Sequence, residues 1–148
     1  MRGTQTTCSK QLTVLSVSAD DRDHTNLEAI LSHSRWGLLT ANNLFAARAS
    51  ILQRTDVSVV LCERDLSPGC WTDILKHTDS MQHPPSLIVT SRVADDRLWS
   101  EVLNLGGWDV LAKPFDRNEV LRSVRSAWEH WYRYFEVAAR PGVMRAAS

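Results

Sequence analysis

No apolar run in this chain is long enough to cross a bilayer. The earliest, LTVLSV from Leu12 to Val17, gives way to Ala-Asp-Asp-Arg-Asp instead of a small-residue cleavage site. A membrane partner and an export route are therefore not expected. Cysteine is scarce: Cys8, Cys62 and Cys70 are odd in number and form no C-x-x-C, and Cys62 sits inside an apolar run as a small hydrophobe would. A reduced, cytoplasmic setting is expected. Neither sign of charge is in excess, with 17 Lys plus Arg against 17 Asp plus Glu, so the overall field gives no reason to expect nucleic acid. The six glycines build no P-loop and no dinucleotide fingerprint, G-x-S-x-G is missing, and His24, His33, His77, His83 and His130 share no metal-ligand spacing. An enzyme is not expected. Internal repeats and low-complexity tracts are also missing.

What is present is an alternation. LTVLSVS (12–18) precedes DRDHTNLEAILSHS (21–34), which places Leu27, Ile30, Leu31 and Ser34 on one helical face. WGLLTA (36–41) precedes NNLFAARASILQRT (42–55), VSVVLC (57–62) precedes GCWTDILKHT (69–78), and SLIVT (86–90) precedes ADDRLWSEVLNLG (94–106). WDVLA (108–112) and a long helix from about Asp116 complete five units. Nearly continuous apolar strands between amphipathic helices imply a parallel sheet covered on both faces. The expected fold is α/β, a flavodoxin-like (βα)5 doubly wound sheet of order 2-1-3-4-5 in a single domain. That domain is expected over 11–139, with a flexible N-terminal arm at 1–10 and a flexible tail at 140–148, where Pro141 and Gly142 stop the last helix. HTDSMQHPPS (77–86) reads as a polar connection.

Ligands of such sheets gather outside the carboxyl ends of the strands. Those ends hold Asp20 and Asp21, then Glu63, Arg64 and Asp65, then Thr90 and Ser91, then Lys113 and Pro114. Carboxylates from two strands, a hydroxyl and an ammonium could hold Mg²⁺ and a phosphoryl group.

From Leu12 to Trp128 the chain resembles the receiver domain of bacterial two-component response regulators. LIVTS at 87–91, GGWDVLAKPFDRNEV at 106–120 and the Pro-Gly at 68–69 carry the resemblance. It implies phosphoryl transfer from a phosphohistidine partner, with Glu63 at the phosphoacceptor position and Asp65 as the alternative. Thr90 takes the switch hydroxyl position, Lys113 the phosphate-pairing position, and Lys113-Pro114 is a candidate cis peptide. Asp20 and Asp21 are the candidate ligands of a Mg²⁺ ion, should the acid cluster be functional.

The sequence departs from that pattern at several points. The acceptor position holds glutamate, whose extra methylene moves its oxygens by about 1 Å, enough to cost roughly 10²-fold where atoms must align in line. Glu63 to Pro68 is one residue longer than the family spacing, and Ser18 and Ala19 separate the first strand from Asp20. Val110 occupies the place of the switch aromatic, with Trp108 two residues earlier on the same face by strand parity. The expected arrangement is an unphosphorylated Glu63 held by Lys113 and Thr90. The alternative is an active, Mg-dependent receiver phosphorylated at Glu63 or Asp65.

The last helix, capped by Asp116 with Glu119 at its third position, sets Val120, Val124, Ala127, Trp128, Trp131 and Phe135 on one stripe. Extended to about Ala139 it would run roughly 36 Å, well past a strand of ~17–20 Å. Trp128, Trp131, Tyr132, Tyr134 and Phe135, with Trp99 on the fourth helix, are the candidate partner surface. Arg117, Arg122, Arg125 and Arg133 line the outer side of that helix and read first as a solvated face, second as a docking strip. The function expected is a stand-alone receiver-like signalling module acting through a protein partner: a sensor kinase, an output protein or a second copy. The homodimer face would be the fourth helix, fifth strand and fifth helix.

Overall fold

The computed structural model describes residues 12–54 and 56–139, with side chains to Tyr134; the arm at 1–10, the tail at 140–148 and the Phe135 side chain lie outside the described residues. Strand β1 (Thr13–Val17) leads into α1 (Asp21–Leu31), and β2 (Gly37–Ala41) into α2 (Leu44–Gln53). Strand β3 (Val59–Glu63) is followed by a two-residue ribbon, β4 (Asp65–Leu66) and β5 (Gly69–Cys70), and then by α3 (Trp71–Thr78). The chain closes with β6 (Ser86–Ser91), α4 (Asp96–Leu105), β7 (Asp109–Ala112) and α5 (Arg117–Ala139). The main sheet runs β2-β1-β3-β6-β7, every pair parallel, which is the expected 2-1-3-4-5 order of the five long strands.

The period of two along each strand divides the core. Leu15 and Val17, Val60 and Cys62, Leu87 and Val89 pack with Ala47 and Ile51 of α2, Trp71 and Ile74 of α3, and Leu98 and Val102 of α4. Val14, Val59, Leu61, Ile88 and Leu111 point the other way, onto Leu27 and Leu31 of α1 and Val120, Val124 and Ala127 of α5. Both faces are thus dry, as a parallel sheet requires.

Local chemistry sets the helix bounds. Asp20, Asn43, Asp95 and Asp116 each place a side-chain oxygen on a first-turn N–H, of Arg22, Ala46, Leu98 and Glu119 respectively, and α4 stops at Gly106 in the left-handed region at φ 108°. Helix α1 ends at Leu31, short of Ser34, because the Ser32 and Ser34 hydroxyls donate to the carbonyls of Ala29 and Leu31 at 2.9 and 2.7 Å. Helix α3 starts at Trp71 instead of Gly69 because Gly69 and Cys70 are taken up by the β4–β5 ribbon, which pairs Asp65 with Cys70 and Leu66 with Gly69. Ser67-Pro68 and Lys113-Pro114 are both cis.

Among the described residues no helix is long and apolar enough to cross a membrane.

Candidate functional site

Strand parity brings the site together before any side-chain contact is considered. The residues that continue the α1/α5 side of the sheet past its apolar part are Ser18 after Val14 and Ser16, Glu63 after Val59 and Leu61, Thr90 after Ile88, and Lys113 after Leu111. Glu63 and Thr90 are direct partners in the β3–β6 register.

The centre they form is an ammonium between two carboxylates. Lys113 Nζ lies 2.6 Å from Asp23 Oδ2 and 3.2 Å from Glu63 Oε2; the lysine and Asp23 side chains are buried and Glu63 is about a quarter exposed, at 27%. Ser18 Oγ sits on the opposite flank, 2.7 Å from Asp23 Oδ2 and 3.0 Å from Glu63 Oε1. A hydroxyl has one proton, so Ser18 serves one carboxylate at a time, while the lysine has three and serves both. Two carboxylates against one ammonium leave one negative charge in the centre.

A second layer fixes the first. His24 Nε2 is 3.1 Å from the Ser18 carbonyl, which can only accept, so that nitrogen carries the hydrogen; in the neutral ring Nδ1 then accepts from Ser16 Oγ at 2.9 Å. Ser18 Oγ also accepts from Asp20 N–H at 3.1 Å, which seats the start of α1 on the end of β1.

The acids expected beside this centre point elsewhere. Asp20 caps α1 and takes both the Nε and Nη2 of Arg22, at 3.1 and 3.0 Å; these bonds, chiefly, hold its carboxyl down at about 2. Asp21 accepts from Asn42 Nδ2 at 2.7 Å. Asp65, the alternative acceptor, is exposed at the start of β4 with Arg64 Nε 3.8 Å away. The donor set therefore does not fit Mg²⁺: the two carboxylates that converge are already bridged by Lys113, and among the described residues no group of three His, Cys, Asp or Glu is placed to hold a metal.

Sequence reasoning missed Asp23 and the Ser18 side chain. The signal for Asp23 was there, since 23, 27 and 31 repeat at four-residue spacing and Leu27 and Leu31 are core. The hydroxyl that meets Glu63 is Ser18, where Thr90 was expected. Thr90 is buried and lines, with Glu63, Arg64, Asp65, Ser91 and Arg92, a cleft of about 180 Å³ beside the centre. Val110 packs into the α2/α3/α4 side of the core and Trp108 against the α1/α5 side, stacked on His130 at 4.6 Å. The two do not share a face, because Trp108 precedes the first paired residue of β7 and escapes its pleat.

The aromatic end of α5 also differs from expectation. Trp131 does not overhang: it is 5% exposed, stacked at 4.1 Å under His83, whose Nε2 donates to the Trp131 carbonyl at 2.9 Å. His83, in the connection before β6, covers it. Trp128 is half-buried and stacks on Tyr132 at 5.3 Å. Tyr134, at 51%, and Trp99, at 49%, are exposed.

Solved structures share this architecture. A two-component response regulator from Clostridium difficile superposes with a TM-score of 0.71 at 22% identity over 80% of this chain and 97% of its own. The signal receiver domain of an HD domain-containing protein from Pseudomonas fluorescens Pf-5 gives 0.76 at 22% identity over 86% and 93%. A response regulator receiver domain protein from Clostridium thermocellum gives 0.74 at 14% identity over 83% and 98%. No protein-family model and no curated protein sequence matches the chain. The fold is that of a response-regulator receiver domain, a flavodoxin-like doubly wound parallel sheet.

Proposed function

We propose that this chain is a receiver-like signalling module of the two-component type that acts by protein–protein contact, with a strand-end site bridged by its own lysine instead of switched by phosphorylation. The observation that carries this reading is the Lys113 ammonium placed 2.6 Å from Asp23 and 3.2 Å from Glu63, where it supplies the counter-charge a metal ion would otherwise bring. Glu63 stands at the acceptor position and is engaged by Ser18 and Lys113. Thr90 lines the adjoining cleft. Val110, in place of an aromatic, provides no rotating lever to report on that cleft. Signalling through a sensor kinase, an output protein or a second copy fits a surface that exposes Trp99 and Leu103 one turn apart on α4, the fourth-helix edge of the expected dimer face. A reducing, cytoplasmic setting belongs to the same reading, as Cys62 and Cys70 are both free thiols.

The second reading, an active receiver that accepts a phosphoryl group on Glu63, is favoured by that side chain's partial exposure on the cleft with Thr90. Intact-mass measurement after incubation with a small phosphodonor and Mg²⁺ separates the two. The lysine-bridged centre predicts no adduct in folded protein; an adduct that disappears in Glu63→Gln would establish the second.

A further inference from the structure

Away from the Ser18–Lys113 centre, and independent of how that centre is read, the groove between the C-terminal end of α1 and the outer side of α5 carries a charge pattern of its own. It is a cleft of about 400 Å³ lined chiefly by Ile30, His33 and Trp36 on one wall and Arg117, Leu121 and Arg125 on the other. No lining residue is acidic. Glu28 on α1 and Glu119 and Glu129 on α5 are close in sequence, yet among the described residues none comes within ion-pairing distance of Arg117 or Arg125. The Arg125 guanidinium instead lies over the Trp36 ring, 5.5 Å from its centroid. Arg117 and Arg125 thus stand along one seam of a chain with no net charge, with no ion-pair partner among the described residues.

The spacing says what such a seam can hold. Arg117, Leu121 and Arg125 follow one another at four-residue intervals, so they fall on one side of α5 with about 12 Å between the two arginine positions and an apolar residue midway. A single phosphate or carboxylate can meet only one end of that row. A helix bearing acidic side chains about two turns apart, with an apolar residue between them, meets both arginines and fills the half-buried floor of Ile30, Trp36 and Leu121. The chain's own ends are the wrong occupants: residues 1–11 contain Arg2 and Lys10, residues 140–148 contain Arg140 and Arg145, and neither segment holds an acid.

We propose that the α1–α5 groove is a docking site for an acidic amphipathic helix of a partner protein, with Arg117 and Arg125 taking its carboxylates and Leu121 and Trp36 its apolar anchor.

The test uses a fluorescent, alanine-based helical peptide with glutamates about eight residues apart and a leucine midway. Its lysine-for-glutamate counterpart and inorganic polyphosphate serve as competitors, read by polarisation against the full chain. The expected result is selective binding of the glutamate peptide that weakens as salt rises from about 0.05 to 0.3 M. Arg117→Ala with Arg125→Ala should weaken it by about tenfold or more. Both arginines are exposed, and circular dichroism of the variant verifies that it folds. Charge reversal, Arg117→Glu with Arg125→Glu, should transfer binding to the lysine peptide. No binding of the glutamate peptide at about 1 mM, equal binding of the two peptides, or affinity unmoved by the charge reversal would overturn the proposal. So would polyphosphate binding more tightly than the glutamate peptide in an Arg117- and Arg125-dependent manner, which would make the groove a phosphate site.

Discussion

Lys113 and Asp23, 90 residues apart in the chain, meet at 2.6 Å in the most buried ion pair among the described residues. The pair ties the end of β7 to the first turn of α1, and Glu63, 3.2 Å away and more exposed, joins it from β3. This hierarchy has a consequence for mutation. Asp23→Asn removes the closer, drier partner, and should cost on the order of 3 kcal/mol, the scale of breaking a buried pair. Glu63→Gln leaves Lys113 its contact with Asp23 and should cost only about 1 kcal/mol. Urea denaturation of both variants checks the order; a larger loss from Glu63→Gln would show that Glu63 is the principal partner.

Replacing the ammonium exposes what it neutralises. Lys113→Met should leave Asp23 and Glu63 facing each other without a cation and lower stability by about 3 kcal/mol. Added Mg²⁺ should raise the melting temperature of this variant more than that of the unaltered chain, because the vacated position lies between two oxygen donors. Thermal melts with Mg²⁺ and with chelator decide it. Equal responses would mean that the lysine does not stand where a cation is needed.

His83 should make stability pH-dependent in the neutral range. Its burial against Trp131 disfavours the charged imidazole and lowers its pKa, although its bond to the Trp131 carbonyl works the other way. Unfolded, the ring titrates near 6.5, so the folded chain binds this proton less readily than the unfolded one. The His83 contribution is fully present above about pH 6.5 and falls away as the pH drops below it. Denaturation at about pH 7.5 and about pH 5.5 should therefore show a steeper loss in the unaltered chain than in His83→Gln. Parallel profiles would remove His83 as the cause.

The turn between α4 and β7 should tolerate no side chain. Gly106 has φ 108° with open space around it, so Gly106→Ala should cost about 1 kcal/mol through the backbone alone. A Cβ on Gly107 would run into the Val102 side chain and come 3.1 Å from the Val102 carbonyl, the same oxygen that accepts the Gly107 N–H at 2.8 Å. Gly107→Ala should therefore cost more, about 2 kcal/mol. Chemical denaturation of the two single variants tests the order.

Much of this was legible in the residues themselves. Runs such as VSVVLC and SLIVT, each followed by a helical period, imply a parallel sheet, because only strands covered on both sides are apolar at successive positions. The same alternation predicts that Glu63, Thr90 and Lys113 share one side of the sheet, since each continues the parity of the core residue two before it. Local hydrogen bonding at Ser32 and Ser34, and the ribbon after Glu63, moved helix ends without disturbing that frame.

What pairs with what was decided in three dimensions. Asp20, Asp21 and Asp23 stand within four positions of one another, and although the spacing to Leu27 and Leu31 puts Asp23 on the core face of α1, nothing in it says that Asp23 meets Lys113. That follows from where α1 settles on the sheet, which also sets Ser18 between Asp23 and Glu63. Trp131 likewise has the pattern of an overhanging interface residue until His83 stacks across it. Sequence determined the layers and the side of the sheet each residue faces, because burial acts locally through a period of two or 3.6. The partners of each charge and ring were left to tertiary structure, because an ion pair across 90 residues depends on how separate elements pack and on which of several equivalent side chains loses its water.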